Sequence, residues 1–174
     1  LSLLINPLMS DDARSAINAA RVMGADVTEG DNWSVKGIYG GGSFGGGLID
    51  VGNSGTSLRI FTALASLFGN QMKFDGDGSI RTRPMMPLLS ALENLGATIF
   101  ESSSGKCPFI IKGPLKGGRT TVSGISSQFL TALLIACPLA ENDSEITVEK
   151  LNEKPYVEMT LDWLEKFDIK LERD

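Results

Sequence analysis

The stretch "GNSGTSLRI", residues 52–60, marks the clearest junction between a strand and a helix in this chain. An apolar run typical of a strand precedes it at 48–51, and residues 61–67 continue in a pattern typical of a helix. Such a junction exposes backbone N–H groups and the positive end of a helix dipole, so it can hold an anion. Glycines serve equally well in a tight turn. The spacing matches neither the Walker P-loop nor the Rossmann fingerprint, so the residues alone leave both interpretations open.

A similar stretch recurs 72 residues further along the chain, where "GISSQFLTALLIAC" occupies residues 124–137. A second landmark occurs three times, as "INAARVMGADV", "LSALENLGATI" and "LDWLEKFDIKL", at residues 17–27, 89–99 and 161–171. The positions Gly24, Gly96 and Asp168 in these copies are again separated by 72 residues. Two different landmarks with one period predict an internal repeat.

Helices and strands are predicted to alternate within each repeat. The predicted helices span residues 11–23, 56–68, 84–95, 127–139 and 155–167. The predicted strands span residues 48–51, 71–74, 98–101, 109–112, 120–123 and 145–149. The glycine-rich segment 40–47 is predicted to be a loop. The fold class is therefore α/β (α+β), with residues 1–174 forming a single globular domain of about three similar units. The first unit lacks its opening turn and helix, so we expect the chain to be a piece of a longer protein.

Local signals define the ends and the buried faces of two helices. Ser10, followed by Asp11 and Asp12, is predicted to cap a helix start, and Gly24 and Gly96 to stop helices. Helical spacing predicts that six apolar side chains face a core: Ile17, Ala20, Met23, Leu88, Leu92 and Leu95.

Composition excludes several classes of function. The 174 residues carry a net charge of −5 with no basic block, which argues against a nucleic-acid partner. No apolar run is long enough to span a membrane. The two cysteines make no disulfide framework, which favours a cytoplasmic location. Histidine is absent, which excludes Ser-His and Cys-His nucleophiles and most zinc sites. No metal or cofactor is predicted.

Four motifs together resemble the EPSP synthase family (3-phosphoshikimate 1-carboxyvinyltransferases). They are "GNSGTSLR", "SIRTRPM", "SSQFLTALL" and "KPYVEMTL", at residues 52–59, 79–85, 126–134 and 154–161. The resemblance implies the enolpyruvyl-transferase fold, with two similar domains that each contain three βαβαββ units. This chain is similar to most of the N-terminal domain, with its first unit truncated.

The resemblance also implies a reaction. The family transfers the carboxyvinyl group of phosphoenolpyruvate to the 5-hydroxyl of shikimate 3-phosphate and releases phosphate, in aromatic amino acid synthesis. The implied partners are these two small anions and the C-terminal domain of the same protein. Because the family's proton-transfer groups come largely from that other domain, no catalytic residue can be assigned here. We expect this chain to bind shikimate 3-phosphate weakly and to lack turnover. The alternative is a non-catalytic α/β repeat module that binds an anionic metabolite.

The resemblance further implies two sets of binding residues. The shikimate 3-phosphate set is Ser126, Ser127, Gln128 and Tyr156. The phosphoenolpyruvate set is Asn53, Gly55, Thr56, Arg83 and Gln128. Serine hydroxyls at a helix start, an amide that donates and accepts, and a planar guanidinium all suit anionic ligands. Simpler roles remain open: an N-cap for either serine, a solvated helix residue for Gln128 and an interfacial ring for Tyr156.

Further residues near the motifs have less specific expectations. Arg81 is expected to be a surface charge, and Arg59 either pairs with a carboxylate or helix end, or contacts ligand. Cys107 and Cys137 are expected to have no chemistry. The sibling family of UDP-sugar carboxyvinyltransferases usually has a reactive cysteine five residues before the arginine of its "RP" pair. Gly78 stands at that position here, which favours the shikimate family.

Glu153 departs from the resemblance, because the family usually has a serine just before "KPY". An ionised glutamate can only accept hydrogen bonds, and two like charges about 4 Å apart repel by about 4 kcal/mol at an effective dielectric near 20. We therefore expect the Glu153 side chain to turn outward and Lys154 or Asn152 to supply the donor. The alternative is that this chain holds the phosphate poorly.

Overall fold

The computed structural model describes residues 1–38, 45–100 and 104–173. Within these ranges the strands are β1 (Ser2–Ile5), β2 (Asp26–Thr28), β3 (Asn32–Lys36), β4 (Gly47–Asp50), β5 (Met72–Asp75), β6 (Thr98–Phe100), β7 (Phe109–Lys112), β8 (Gly118–Ser123) and β9 (Ser144–Glu149). The helices are α1 (Asp11–Val22), α2 (Gly55–Ala65), α3 (Met86–Asn94), α4 (Ser127–Ala136) and α5 (Lys154–Lys166). Short 3-10 turns lie at Ile80–Thr82 and Cys137–Leu139. Most of the predicted loop at 40–47, and the last residue of the predicted strand 98–101, lie outside the described residues.

The middle third of the chain forms one full βαβαββ unit. Its elements follow in the order β4, α2, β5, α3, β6 and β7. The four strands form one sheet in the order β4-β5-β7-β6, in which β4 and β5 are parallel and the other neighbours are antiparallel. Because parallel neighbours require a crossover, α2 connects β4 to β5.

The flanking parts of the chain repeat portions of this unit. Before it, β1, β3 and β2 form an antiparallel sheet with α1 between β1 and β2. After it, β8 and β9 are parallel and are followed by α5. The predicted α/β fold class is confirmed, with one complete unit and a partial unit on each side of it. The prediction did not include one feature: within the described residues, the third unit has no counterparts of β6 and β7.

A backbone conformation with positive φ recurs after α1, α3 and α5, the equivalent helices of the three units. Gly24, Gly96 and Asp168 have φ values of 94°, 106° and 58°. Glycine adopts positive φ without strain, and aspartate is among the few other residues that tolerate it. The predicted helix stops at the two glycines are thus confirmed, and the third position shares their geometry.

Two clusters of apolar side chains hold the elements together. The larger cluster lies among α2, α3, α4 and the strands β5, β7 and β8, and contains a stacked pair of rings, Phe74 and Phe109, with centroids 5.6 Å apart. The smaller cluster joins α1 to its sheet through Ile17, Val27 and Trp33. Five of the six predicted core side chains are buried. The exception is Ala20, which is half-buried, whereas its neighbour Ala19 is fully buried.

The predicted cap of the first helix is also confirmed. Ser10 has extended backbone angles, and its side chain accepts a hydrogen bond of 3.2 Å from the backbone N–H of Ala13. The acidic residues Asp11 and Asp12 occupy the first turn, where the positive end of the helix dipole favours them. Among the described helices, none combines the length and the apolar character that a membrane crossing needs.

Candidate anion-binding site

Two equivalent helix starts lie side by side in this fold. α2 follows β4 and α4 follows β8, and the two helices pack against each other. Ser54 caps α2, since its hydroxyl accepts from the backbone N–H of Ser57 at 3.2 Å. Ser126 is the cap residue of α4, but its side chain makes no capping hydrogen bond. Each helix start therefore presents backbone donors and the positive end of its dipole to the same region.

Gln128 connects the two helix starts. Its Nε2 donates to Thr56 Oγ1 at 3.0 Å, and its Oε1 accepts from Arg59 Nη1 at 2.5 Å. A guanidinium can only donate, so the amide oxygen of Gln128 must face Arg59 and its Nε2 is left to face Thr56. Two predicted binding residues, Gln128 and Thr56, are thus brought into direct contact.

Arg59 is a buried cation in this region. It is 6% exposed, its Nη1 also donates to the Gly55 carbonyl at 3.3 Å, and its Cζ lies 5.1 Å from the centre of the Phe129 ring. Its Nε has no hydrogen-bond partner, and no carboxylate in the described ranges forms an ion pair with it. Burial, followed by the nearby Arg83, lowers the pKa of Arg59. The expected pairing with a carboxylate is not seen, and an anionic ligand would offset this buried charge.

Arg83 brings a second guanidinium to the start of α2. Its Nη2 donates to Asn53 Oδ1 at 3.2 Å. A Cβ added at Gly55 would lie 2.7 Å from Arg83 Nη1 and 2.8 Å from Arg59 Nη1. Glycine is therefore needed here so that both cations can approach the helix start. Two cations beside a helix N-terminus repel each other and form an environment suited to a shared anion.

Arg81, by contrast, is already neutralised. Its Nε and Nη2 donate to the two carboxylate oxygens of Asp75 at 2.9 and 2.8 Å. The hydrogen bond from Arg81, supported by the N–H of Gly76, lowers the pKa of Asp75. This exposed ion pair agrees with the surface role expected for Arg81.

Glu153 occupies the start of α4. The Ser127 side chain, 3% exposed, donates from its hydroxyl to Glu153 Oε2 at 2.9 Å, and its backbone N–H donates to the same oxygen at 3.3 Å. The expectation that Glu153 turns outward is therefore wrong. A serine hydroxyl and a backbone N–H at a helix start are favourable donors to a carboxylate.

The remaining predicted residue, Tyr156, lies at the edge of this cluster. It is in the first turn of α5 and 60% exposed, and its backbone N–H donates to the Glu153 carbonyl at 3.1 Å. Its side chain makes no hydrogen bond among the described residues, so its contact with a ligand stays a prediction.

Sequence reasoning missed the role of Asp12, whose carboxylate positions one of the helix starts. The Ser54 hydroxyl donates to the Asp12 carboxylate, which ties the start of α1 to the start of α2. The sequence indicated only a first-turn acidic residue at position 12. No local signal pairs it with a serine 42 residues away.

Neither cysteine lies in this site. Cys107 and Cys137 are both buried. Burial, with a smaller effect from Asp75, raises the pKa of the Cys107 thiol to about 12, and burial also raises the pKa of Cys137. In the ranges 1–38, 45–100 and 104–173, no group of three His, Cys, Asp or Glu side chains could hold a metal ion.

We expect both thiols to be inert in the folded chain. At pH 8 a thiol with a pKa of about 12 is ionised in about one molecule in ten thousand, and the thiolate is the reactive form. A dithionitrobenzoate assay should therefore show modification at least about 100-fold slower in buffer than in denaturant, with the rate rising as pH rises. Rapid labelling of Cys107 in the folded chain would contradict this expectation.

Fold and site together define a class: an α/β repeat protein in which two arginines that form no ion pair among the described residues lie beside paired helix starts. The comparisons with known proteins identify the family. The family model for EPSP synthase (3-phosphoshikimate 1-carboxyvinyltransferase) matches residues 2–174, so the chain belongs to the EPSP synthase family.

Individual relatives agree with this assignment. The chain is similar to the 3-phosphoshikimate 1-carboxyvinyltransferases of Acetivibrio thermocellus (46% identity) and Methanocella arvoryzae (43% identity), with 96% and 97% of this chain covered. It spans only 40% and 41% of the length of those relatives. The 2.37 Å structure of EPSP synthase from Acinetobacter baumannii shares the fold, with a TM-score of 0.85 and 24% identity over 99% of this chain and 39% of that one.

Proposed function

We propose that this chain is the shikimate 3-phosphate-binding part of an enzyme that transfers the carboxyvinyl group of phosphoenolpyruvate to the 5-hydroxyl of shikimate 3-phosphate. The observation that carries the proposal is the Gln128 bridge between the starts of α2 and α4, in a chain that belongs to the EPSP synthase family. Its Nε2 has a second proton, which can be donated to an anion bound beside the two helix starts. The protein is proposed to act in the cytoplasm.

Each substrate has its own set of donors in this proposal. Ser126, Ser127 and the N–H groups of α4 hold the phosphate of shikimate 3-phosphate, with Tyr156 beside the ring. Asn53, Gly55, Thr56 and Arg83 at the start of α2 hold phosphoenolpyruvate. Among the described residues neither Arg59 nor Arg83 forms an ion pair with a carboxylate. The start of α2 therefore keeps two positive charges in a chain of net charge −5, which supports placing an anion there.

Turnover requires groups that this chain does not supply. Within the described site the side chains are donors, cations and two carboxylates, Asp12 held by Ser54 and Glu153 held by Ser127, and none is assigned as a general acid or base. We therefore propose that the C-terminal domain of the full-length protein completes the reaction. Release of phosphate from phosphoenolpyruvate by this chain alone, in the presence of shikimate 3-phosphate, would contradict that part of the proposal.

A calorimetric titration tests the binding step. The folded chain should bind shikimate 3-phosphate with a dissociation constant in the millimolar range, and shikimate without the phosphate should bind at least about tenfold more weakly. Gln128→Ala should weaken binding about tenfold or more, because the amide bridge is lost. Gln71→Ala, at an exposed position outside the site, is the matched control and should not change affinity.

Two results would contradict the proposal. A folded sample that gives no heat with millimolar shikimate 3-phosphate would favour the alternative of a non-catalytic module for another anion. A preference for a UDP-sugar would favour the sibling family. The buried Cys107 and the glycine at position 78 argue against the latter.

A further inference from the structure

A carboxylate of the chain itself lies where the proposed function requires a phosphate. Glu153 Oε2 accepts both the Ser127 hydroxyl, at 2.9 Å, and the Ser127 backbone N–H, at 3.3 Å. A hydroxyl has one proton to donate, and so has a backbone N–H. Both Ser127 donors are therefore used by the Glu153 carboxylate.

This contact is not a by-product of capping α5. Glu153 is the residue that precedes α5, but its side chain makes no capping hydrogen bond to that helix. It reaches the start of α4 instead, 26 residues away in sequence. Its backbone has φ 54° and ψ 39°, in the left-handed region that residues with a side chain seldom adopt. The chain thus adopts an unfavourable backbone conformation at the residue that makes this contact.

The charge of Glu153 is not neutralised by a neighbouring cation. The Nζ of the adjacent Lys154 lies 4.0 Å from Oε1 of Glu158, on the same helix. No Lys or Arg of the described residues forms an ion pair with Glu153. Its partners are the dipole and donors at the start of α4, which are the groups that would also stabilise a phosphoryl oxygen.

We infer that Glu153 is an internal competitor for the phosphate subsite. Its carboxylate closes the start of α4, and the phosphoryl group of the ligand must displace it before binding the Ser127 donors. This inference rests on the proposed function for the identity of the ligand. A carboxylate and a phosphoryl group cannot share these donors, because their charges repel at that distance. The consequence is a weakened affinity for phosphorylated ligands, while ligands without a phosphate are unaffected.

Two variants of different shape test the inference. Glu153→Gln keeps the size of the side chain and removes its charge, and Glu153→Gly removes the side chain and suits the positive φ. Glu149→Gln, which removes one exposed charge at the end of β9, is the control. Affinities for shikimate 3-phosphate, shikimate and inorganic phosphate are measured by following the amide signals of α4 by NMR, which also reports whether each variant is folded.

The expected result is a gain of at least about tenfold in affinity for shikimate 3-phosphate and for inorganic phosphate in Glu153→Gly, and a gain in the same direction in Glu153→Gln. Shikimate affinity and the Glu149→Gln control should not change. A gain below about fivefold for both phosphorylated probes in both variants would overturn the inference, and binding of shikimate 3-phosphate would then leave the proposed function intact. Conversely, a tenfold gain for inorganic phosphate without any binding of shikimate 3-phosphate would support the competitor and overturn the proposed function.

Discussion

Gly113→Ala is expected to destabilise the folded chain by about 3 kcal/mol or more. A Cβ at this position would lie 1.9 Å from the Ser66 carbonyl oxygen and 2.9 Å from the Phe68 carbonyl oxygen. The Gly113 N–H also donates to the Phe68 carbonyl oxygen at 2.7 Å. The chain just after β7 therefore lies directly against the end of α2. Both obstacles are backbone atoms, and they cannot move aside as a flexible side chain would. Urea denaturation followed by circular dichroism measures the effect.

Gly69→Ala is the matched control for this prediction. Gly69 lies in the same connection after α2, but nothing is within 4 Å of a Cβ added there. The Gly69→Ala variant should have a free energy of unfolding within about 1 kcal/mol of the original. Equal stability of the two variants would show that β7 does not pack onto the end of α2 as described.

Arg59→Met is expected to lower the affinity for shikimate 3-phosphate without lowering the stability of the fold. The buried guanidinium has an unpartnered Nε and no carboxylate partner in the described ranges, so its burial is unfavourable in the absence of a ligand. Methionine keeps the aliphatic packing beside Phe129, so the free energy of unfolding should stay within about 1 kcal/mol of the original or rise. Affinity for shikimate 3-phosphate should fall about 10- to 100-fold, since Gln128 loses the charged donor that orients it.

Arg119→Met provides the control for removing a positive charge. Arg119 is exposed and pairs with Glu145 at 2.8 Å, away from the helix starts. Arg119→Met should change neither the free energy of unfolding nor the affinity for shikimate 3-phosphate appreciably. If Arg59→Met unfolds the chain more easily by over about 2 kcal/mol and leaves affinity unchanged, Arg59 is a structural residue and its assignment to the anion site is wrong.

Local chemistry made much of the fold predictable. The first helix was predicted at 11–23 and is observed at Asp11–Val22, because Ser10 caps its start and Gly24 has the positive φ that ends it. The second β-strand of the middle unit was predicted within one residue at each end. Helix periods and glycine stops act over a few residues, so a single sequence carries them.

The strands of the first unit were not predicted. β1, β2 and β3 are short, and β1 is exposed along its whole length. Such residues carry little alternation of apolar and polar side chains. Their strand conformation comes from pairing, for example Leu4 opposite Trp33, which local sequence does not encode.

The site was predictable in its residues but not in its contacts. The resemblance supplied Gln128 and Thr56, yet their hydrogen bond joins positions 72 residues apart and depends on how α2 packs on α4. The orientation of Glu153 was predicted wrongly because repulsion from a bound phosphate is only one of the forces on its carboxylate. The donors of Ser127 attract the same carboxylate.

Binding of the phosphate of shikimate 3-phosphate at the start of α4 is best tested by an NMR titration of the isotope-labelled chain, through the backbone amides of Ser126, Ser127 and Gln128. We expect saturable shifts centred on these amides, accompanied by a shift of the Glu153 side-chain carboxyl signal as its contact with Ser127 is released. Saturable shifts confined to other parts of the chain, with the Ser127 amide and the Glu153 carboxyl unchanged, would contradict it.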